Sequence, residues 1–235
     1  MRGPSRLLRR IAVALVLLPL VGAAAILALG LLYSAVTPPS TLMLGRWIMG
    51  KPVARTAVPL EAIASALPAT AITSEDARYC QHSGVDWSAL RDVVDDEDGP
   101  SRGASTIAMQ TAKNVFLWPG RSYIRKALEL PVALVLDFVW GKRRMMEIYL
   151  NIAEWGEGVF GAEAAAQRWF NKSARQLSRG EAALLVAALP NPLARNPVLP
   201  SRRHRALAAR LLARMEASAP LTECLGRGSR TASSG

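Results

Sequence analysis

Uncharged, mostly apolar residues run without interruption near the N-terminus, over residues 11–32. This run has the ~20 residues that a helix needs to cross the hydrocarbon core of a bilayer. Arginines precede it at positions 2, 6, 9 and 10, and no basic residue follows it closely. Because basic residues stay on the cytoplasmic side, we predict one span with a cytoplasmic N-terminus and everything beyond residue 33 outside. A cleaved signal peptide, with alanines 23–25 as its small-residue site, is the competing interpretation, although its apolar region would be unusually long.

Beyond this run, the apolar positions recur with helical periodicity and strand-like alternation is nearly absent. Proline, glycine and capping residues mark the expected helix boundaries. We predict helices over residues 58–67, from about 73, over 85–91, from about 105 to 114, and over 123–152, 162–170, 178–189 and 202–217. Pro68 should end the first of them and Pro131 should bend the long one.

The predicted fold class is therefore all-α, with a single N-terminal transmembrane helix. Residues 1–10 form a basic cytoplasmic N-terminus, 11–32 the transmembrane helix and 33–57 a membrane-proximal linker. Residues 58–217 form the main helical domain, and 218–235 a disordered tail. Apolar residues at 42–49 either lie at a membrane interface or belong to the core, and the pattern does not decide between these alternatives. Residues 116–120 are predicted to form a loop with exposed apolar side chains, which would also suit a lipid surface.

The formal net charge of +11 at pH 7 indicates an anionic partner. An exported, membrane-tethered domain makes nucleic acid an improbable partner, so we expect anionic lipid head groups or a lipid-linked phosphate. Cys80 and Cys224 are far apart in sequence and lack metal-ligand spacing, so we expect no structural disulfide. The acidic segment 92–100 does not have the spacing of a calcium loop and is predicted to be a mobile, solvated loop.

Two adjacent carboxylates, Glu75 and Asp76, lie at a predicted helix start, where Thr73 or Ser74 would accept hydrogen bonds from the first free amides. Acidic residues in a first turn suit the positive end of a helix. This segment is therefore either an ordinary capped helix start or the place of an active-site acid or base. Both interpretations stay open on the segment alone.

Further polar residues follow at helical spacing. A glycine at 103, then Ser105 and Thr106 at a helix start, would present free amides and hydroxyls to an anion. Gln110, Lys113 and Asn114 continue along one face of that helix. Arg125 and Glu129 are four residues apart and can pair, which alone is more typical of a surface ion pair than of catalysis.

Five ordered motifs resemble those of the family 51 peptidoglycan glycosyltransferases, in particular members without a transpeptidase domain, and cover residues 59–200. They are Glu75-Asp76-x-x-Tyr79-x-x-His82-x-Gly84; Gly103-x-Ser105-Thr106-Ile107-x-x-Gln110-x-x-Lys113-Asn114; Arg125-Lys126-x-x-Glu129; Lys142-Arg143-Arg144-x-x-Glu147-x-Tyr149-Leu150-Asn151; and Arg179-x-Glu181 through Pro190. The resemblance implies a lysozyme-like helical lobe with a smaller membrane-contacting jaw. It also implies polymerisation of lipid II into a β-1,4 glycan strand at the inner membrane, with the catalytic domain on the periplasmic side.

The resemblance also implies residue roles. Glu75 would be the general base, and Glu129 the second important carboxylate, associated indirectly with Mg²⁺ or Mn²⁺. The diphosphate and sugar would be bound by a further set of residues: Asp76, Ser105, Thr106, Gln110, Lys113, Asn114, Arg121, Arg125, Lys126 and Glu147. The expected partners are lipid II, the growing glycan strand, membrane lipids and the cell-wall synthesis machinery.

Two alternatives to polymerisation remain. One is a lysozyme-like muramidase or lytic transglycosylase that uses a single glutamic acid, but cleaving a neutral glycan has no need of a cation cluster. The other is a membrane-tethered glycan-binding module whose catalysis has decayed, against which the presence of both Glu75 and Glu129 argues.

Overall fold

The computed structural model describes residues 4–95, 105–120, 122–217 and 219–226, with only the backbone described at 4–7, 94, 217 and 219–221. These residues are mostly helical, which confirms the predicted all-α class. The helices are α1 Pro4–Tyr33, α2 Thr41–Ile48, α3 Ala66–Glu75, α4 Trp87–Asp95, α5 Ile107–Phe116, α6 Tyr123–Ile152, α7 Ala162–Phe170, α8 Arg179–Ala188 and α9 Arg202–Ala217. Short 3₁₀ turns occur at Leu60–Ala62, Ala174–Gln176 and Ala219–Leu225.

Helix α1 is the one helix within the described ranges that is long and apolar enough to span a membrane, over Leu8–Tyr33. Its side chains are exposed along most of its length, but its last turn is attached to α6. The Trp140 indole donates to the Gly30 carbonyl at 2.7 Å, and the Arg144 guanidinium donates to the Tyr33 carbonyl at 2.9 and 3.1 Å. The last carbonyls of a helix have no partner within it and are therefore free to accept these bonds. The bonds join the end of α1 to the domain.

Helix α2 lies just beyond the span and divides the apolar segment 42–49 between two environments. Met43 is fully buried, whereas Ile48 is 87% exposed and Trp47 and Met49 are also exposed. The segment therefore contributes Met43 to the core and leaves Trp47, Ile48 and Met49 exposed at its C-terminal end.

The predicted helices at 58–67 and from 73 are wrong in their bounds. Residues 60–62 form only a 3₁₀ turn, and α3 runs from Ala66 to Glu75 with Pro68 in its first turn. A proline is tolerated there because the first amides of a helix have no intrahelical partner. Thr73 and Ser74 therefore belong to the last turn of a helix rather than to its cap, and Glu75 ends it.

The long helix α6 is interrupted at Gly141 (φ 63°, ψ 173°), which the sequence did not indicate. Pro131 lies inside the helix, and the bend expected there stays a prediction. A backbone of this kind is open essentially to glycine alone. Lys142 pairs with Asp137 across the interruption at 2.8 Å, and the Tyr79 hydroxyl donates to the Lys142 carbonyl at 2.7 Å. The interruption thus changes the direction of the second half of α6. At this point α6 is bound to Tyr79, in the segment that follows α3.

The core lies where α5 packs against α6, and where α3 packs against α8 and α9. Its largest fully buried side chains include Trp155, Tyr79, Tyr149 and Phe160. A small sheet at its edge has the strand order β1-β3-β2, from Ala54–Arg55, Val159–Phe160 and Glu154–Gly156, with β1 parallel and β2 antiparallel to β3. The predicted helices at 85–91, 162–170, 178–189 and 202–217 correspond to α4, α7, α8 and α9, and α8 begins with the expected Ser178–Glu181 capping box.

Three further expectations need correction. Cys80 and Cys224 form a disulfide, with their Cα atoms 5.4 Å apart, although a structural bridge was not expected. The predicted disordered tail 218–235 includes the 3₁₀ segment Ala219–Leu225, which that disulfide holds; residues 218 and 227–235 lie outside the described part of the chain. The predicted loop 92–100 begins inside α4, which continues to Asp95, and its remaining residues also lie outside the described part.

Candidate active site

Glu75 lies at the carboxyl end of α3, half-buried, with both carboxylate oxygens engaged. Ser74 donates its hydroxyl to Oε1 at 2.8 Å, and the Gln110 side-chain amide donates to Oε2 at 3.2 Å. The free carbonyls at this end of a helix carry partial negative charge. Glu75 is therefore held by two neutral donors at the C-terminus of a helix, whereas its sequence context predicts a helix N-terminus.

Asp76 is buried and joins two helices. Its Oδ2 accepts the Ile107 amide, the first of α5, at 2.9 Å, and its Oδ1 lies 2.8 Å from Nε2 of His82. A carboxylate at the start of a helix satisfies a free amide and meets the positive end of the helix. These contacts give Asp76 and His82 a structural role: they hold the end of α3 against the beginning of α5.

Thr106 completes this junction as the N-cap of α5. Its hydroxyl oxygen accepts the Met109 amide at 3.1 Å, and the hydroxyl donates to the Gly84 carbonyl at 2.6 Å. Gly84 has φ +76°, and a Cβ there would lie 2.7 Å from the Ala133 carbonyl oxygen of α6. The segment 76–84 is consequently packed between α5 and α6 with no room for a larger residue at position 84.

A cluster of cations lies on α5 and at the beginning of α6. Glu129 is 1% exposed, and its carboxylate pairs with Arg125 and, at 3.0 Å, with Lys126. The Lys126 ammonium also donates to the Ser105 hydroxyl at 3.0 Å. Within the described ranges, the buried Nε of Arg125 has no hydrogen-bond partner.

Lys113 adds a third positive charge, one turn beyond Gln110 on α5, and has no ion pair among the described residues. Burial, and next the charge of Arg125, lower the pKa of Lys113. Burial, followed by the charges of Arg125 and Lys113, lowers the pKa of Lys126. Arg125 and Lys126 share the carboxylate of Glu129, and Lys113 adds a positive charge close enough to repel both of them. The cluster therefore carries more positive than negative charge and is suited to bind a multiply charged anion.

Comparison with known proteins decides the family. A family model described as transglycosylase matches residues 43–216.

The chain belongs to the transglycosylase family. Three similar proteins, all named biosynthetic peptidoglycan transglycosylase, come from Rhodopseudomonas palustris (strain TIE-1), Brucella suis biovar 1 (strain 1330) and Rhizobium meliloti (strain 1021). The first is 55% identical over 199 residues, which are 83% of this chain and 84% of the relative. The second is 48% identical over 220 residues (92% and 98%), and the third 51% over 190 residues (80% of each).

The remaining residues expected at this transglycosylase site are distributed as follows. Glu147 accepts the Leu60 amide at 2.9 Å and pairs with Arg144, so its observed contacts are within the protein. The Asn114 carbonyl accepts the hydroxyl of Thr41, the first residue of α2, at 3.3 Å. Arg121 lies outside the described residues.

Two residues near Glu75 were missed as site residues. Ser74 was considered only as a helix cap, yet it donates to the Glu75 carboxylate. Tyr149 is buried, and burial, then the charges of Glu75 and Asp76, raise the pKa of its hydroxyl well above the usual value. Tyr149 belongs to the fourth sequence motif, but its sequence position alone does not reveal that its hydroxyl lies near Glu75.

The described residues do not fit a resident metal ion. No group of three or more His, Cys, Asp or Glu side chains that could hold one occurs among them. Both oxygens of Glu129 are already engaged by Arg125 and Lys126, whereas Mg²⁺ and Mn²⁺ bind several oxygen ligands. The described residues therefore provide no set of ligands for the divalent cation expected near Glu129.

Proposed function

We propose that this peptidoglycan transglycosylase polymerises lipid II into β-1,4 glycan strands and releases undecaprenyl diphosphate. The observation that carries the proposal is the cation cluster beside Glu75. A leaving diphosphate gathers negative charge in the transition state, and preorganised cations in a partly buried site stabilise that charge. A lytic enzyme that cleaves a neutral glycan has no comparable use for Lys113, Arg125 and Lys126.

In the proposed reaction, a sugar hydroxyl of the acceptor attacks the anomeric carbon of the donor. The C–O bond to the diphosphate breaks, and its electron pair leaves with the diphosphate. Glu75 takes the hydroxyl proton, since a carboxylate within hydrogen-bond reach makes the hydroxyl a competent nucleophile. A single displacement inverts the α-linked donor to a β link and requires no covalent glycosyl-enzyme.

Gln110 and Lys113 connect the proposed base, Glu75, with the proposed anion site. They are three residues apart and so lie on the same side of α5. Gln110 contacts Glu75, and Lys113 is electrostatically coupled to Arg125 at the start of α6. A donor diphosphate held by the cluster would thus place its sugar towards Glu75.

We further propose that the domain works on the periplasmic face of the inner membrane. The arginines before the span support this orientation, as does the disulfide, because such bonds persist in oxidising compartments. A stripe of exposed apolar side chains on α6, repeating every three or four residues, supports contact with lipid. It consists of Ile124, Leu128, Pro131, Val135 and Phe138, the last 91% exposed.

The test is polymerisation of labelled lipid II by the detergent-solubilised full chain with Mg²⁺ or Mn²⁺ supplied. We expect glycan chains that moenomycin blocks, and Glu75→Gln should lower turnover by about 10²–10⁴-fold, as for loss of a general base. Lipid II binding should survive, because the cation cluster is intact. Glu216→Gln makes the same change at an exposed carboxylate of α9 and should leave turnover within about twofold. Digestion of purified cell wall without chain growth, or retained turnover in Glu75→Gln, would refute the proposal.

A further inference from the structure

The disulfide between Cys80 and Cys224 joins the segment after α3 to the C-terminal 3₁₀ segment Ala219–Leu225. The two residues are 144 positions apart in sequence, and both are half-buried. They are the only cysteines in the chain. Any thiol chemistry on this protein therefore reports on this one bond.

The C-terminal 3₁₀ segment contacts two helices that carry site residues. It packs against α3, the helix that ends at Glu75, and against α6. Leu225 is the buried one among the side chains described at 222–226, and its carbonyl accepts from the Arg143 guanidinium at 2.7 Å. The Cys224 amide also lies 3.3 Å from Sγ of Cys80. The disulfide therefore adds a covalent link to a segment that already contacts α3 and α6.

At its other end, the bond enters the turn that fixes the catalytic carboxylate. Cys80 follows the fully buried Tyr79, whose hydroxyl is bound to the Lys142 carbonyl, and precedes His82, which contacts Asp76. Asp76 in turn holds the end of α3 to the start of α5. A displacement of the backbone at Cys80 would therefore move His82 and its partner Asp76, and Asp76 is adjacent to Glu75 in the chain.

We propose that the Cys80–Cys224 disulfide is a positioning element for Glu75 and makes glycan transfer depend on the redox state of these two thiols. The inference rests on the proposed role of Glu75. Reduction adds two electrons and two protons to the S–S bond and gives two thiols, while a dithiol reductant is oxidised to its disulfide. In the oxidising space outside the membrane the bond persists, whereas a reducing cytoplasm keeps both cysteines as free thiols. The enzyme then becomes fully active only after its domain is exported.

The experiment uses the full chain in detergent, oxidised or treated with dithiothreitol, at a temperature at which circular dichroism shows unchanged helix content. A thiol titration should rise from none to two per chain. We expect kcat for lipid II to fall about ten- to a hundredfold, as for a small misplacement of a catalytic group. KM should stay within about twofold, because the cation cluster is untouched, and reoxidation should restore kcat.

The Cys80→Ser/Cys224→Ser double variant is the matched control. It should have the low kcat of the reduced protein and be insensitive to dithiothreitol. An unchanged kcat on full reduction would overturn the proposal. So would a loss of activity that tracks a loss of helix content, because that would indicate a purely structural bond.

Hydrogen exchange separates this inference from the proposed function. Reduction should speed exchange of the amides in residues 77–84, with α8 unchanged. If the oxidised protein does not polymerise lipid II, the proposed function fails, and the exchange measurement still decides whether the bond holds this segment. Equal exchange at 77–84 in both redox states would remove the basis for positioning.

Discussion

Replacement of Glu129 by glutamine tests the anion site most directly, because Glu129 is the carboxylate that Arg125 and Lys126 share. The change keeps the shape and removes the negative charge. Glu129 is 1% and Arg125 8% exposed, so breaking this buried pair should lower the free energy of unfolding by about 3–5 kcal/mol. The Lys126 side chain is 44% exposed, so its pair adds at most about 1 kcal/mol.

The anion dependence of stability is the more specific result. In Glu129→Gln, Arg125 and Lys126 lose their carboxylate and Lys113 remains nearby, so an added anion should bind more tightly than to the wild type. Inorganic pyrophosphate at a hundred times its Kd stabilises a protein by about 2.7 kcal/mol. At one fixed pyrophosphate concentration, the variant should therefore gain more in thermal unfolding temperature than the wild type.

Glu216→Gln is the control, because Glu216 is exposed and lies 3.5 Å from an exposed Arg179. Its unfolding free energy should change by less than about 0.5 kcal/mol, and it should respond to pyrophosphate as the wild type does. If Glu129→Gln is as stable as this control, or gains no more from pyrophosphate than the wild type, the cluster is not a set of cations held by one carboxylate and suited to an anion.

Two further predictions concern the backbone and pH. Gly84→Ala and Gly141→Ala each place a side chain at positive φ, which alone should lower the free energy of unfolding by about 1–3 kcal/mol. Gly84→Ala should lower it further than Gly141→Ala and should also slow turnover, because only its Cβ would meet the Ala133 carbonyl. Equal losses of stability in the two variants would contradict the packing argument. The affinity for pyrophosphate, measured by calorimetry and corrected for the ionisation of pyrophosphate itself, should fall as pH rises through the lowered pKa values of Lys113 and Lys126, which lie below the ordinary value of 10.5. Only the protonated lysines attract the anion, and the bound anion raises their pKa. A corrected affinity that does not decline before pH 10 would contradict this prediction.

Local signals in the sequence were sufficient where one element carries its own boundaries. The Ser178–Glu181 capping box, the threonine cap at 106 and the N-terminal apolar run each specify an element without reference to the rest of the chain. The polar face of α5 was also predicted, because residues one turn apart are neighbours on any helix.

Features that depend on distant contacts were not predictable in this way. The disulfide joins residues 144 positions apart, and nothing near either cysteine indicates the other. Pro131 is the stronger local signal for a bend, yet the interruption lies at Gly141, where the Asp137–Lys142 pair and the hydroxyl of Tyr79 support the unusual backbone. The direction of the helix at Glu75 failed for a related reason: threonine and serine suggest a cap, but Pro68 suits a first turn equally well.

The order of residues at Glu75 and Asp76 then has a physical explanation. Adjacent carboxylates at the end of α3 meet different surroundings, because Asp76 reaches the amide end of α5 while Glu75 remains at the carbonyl end of its own helix. Both oxygens of the buried Asp76 are bonded within the protein, so Asp76 fixes the backbone beside Glu75, whereas Glu75 is half-buried and held by two neutral donors, which suits its proposed role as general base. Because Asp76 ties α3 to α5, it also fixes Gln110 and Lys113 relative to Glu75, and so links the proposed base to the proposed anion site.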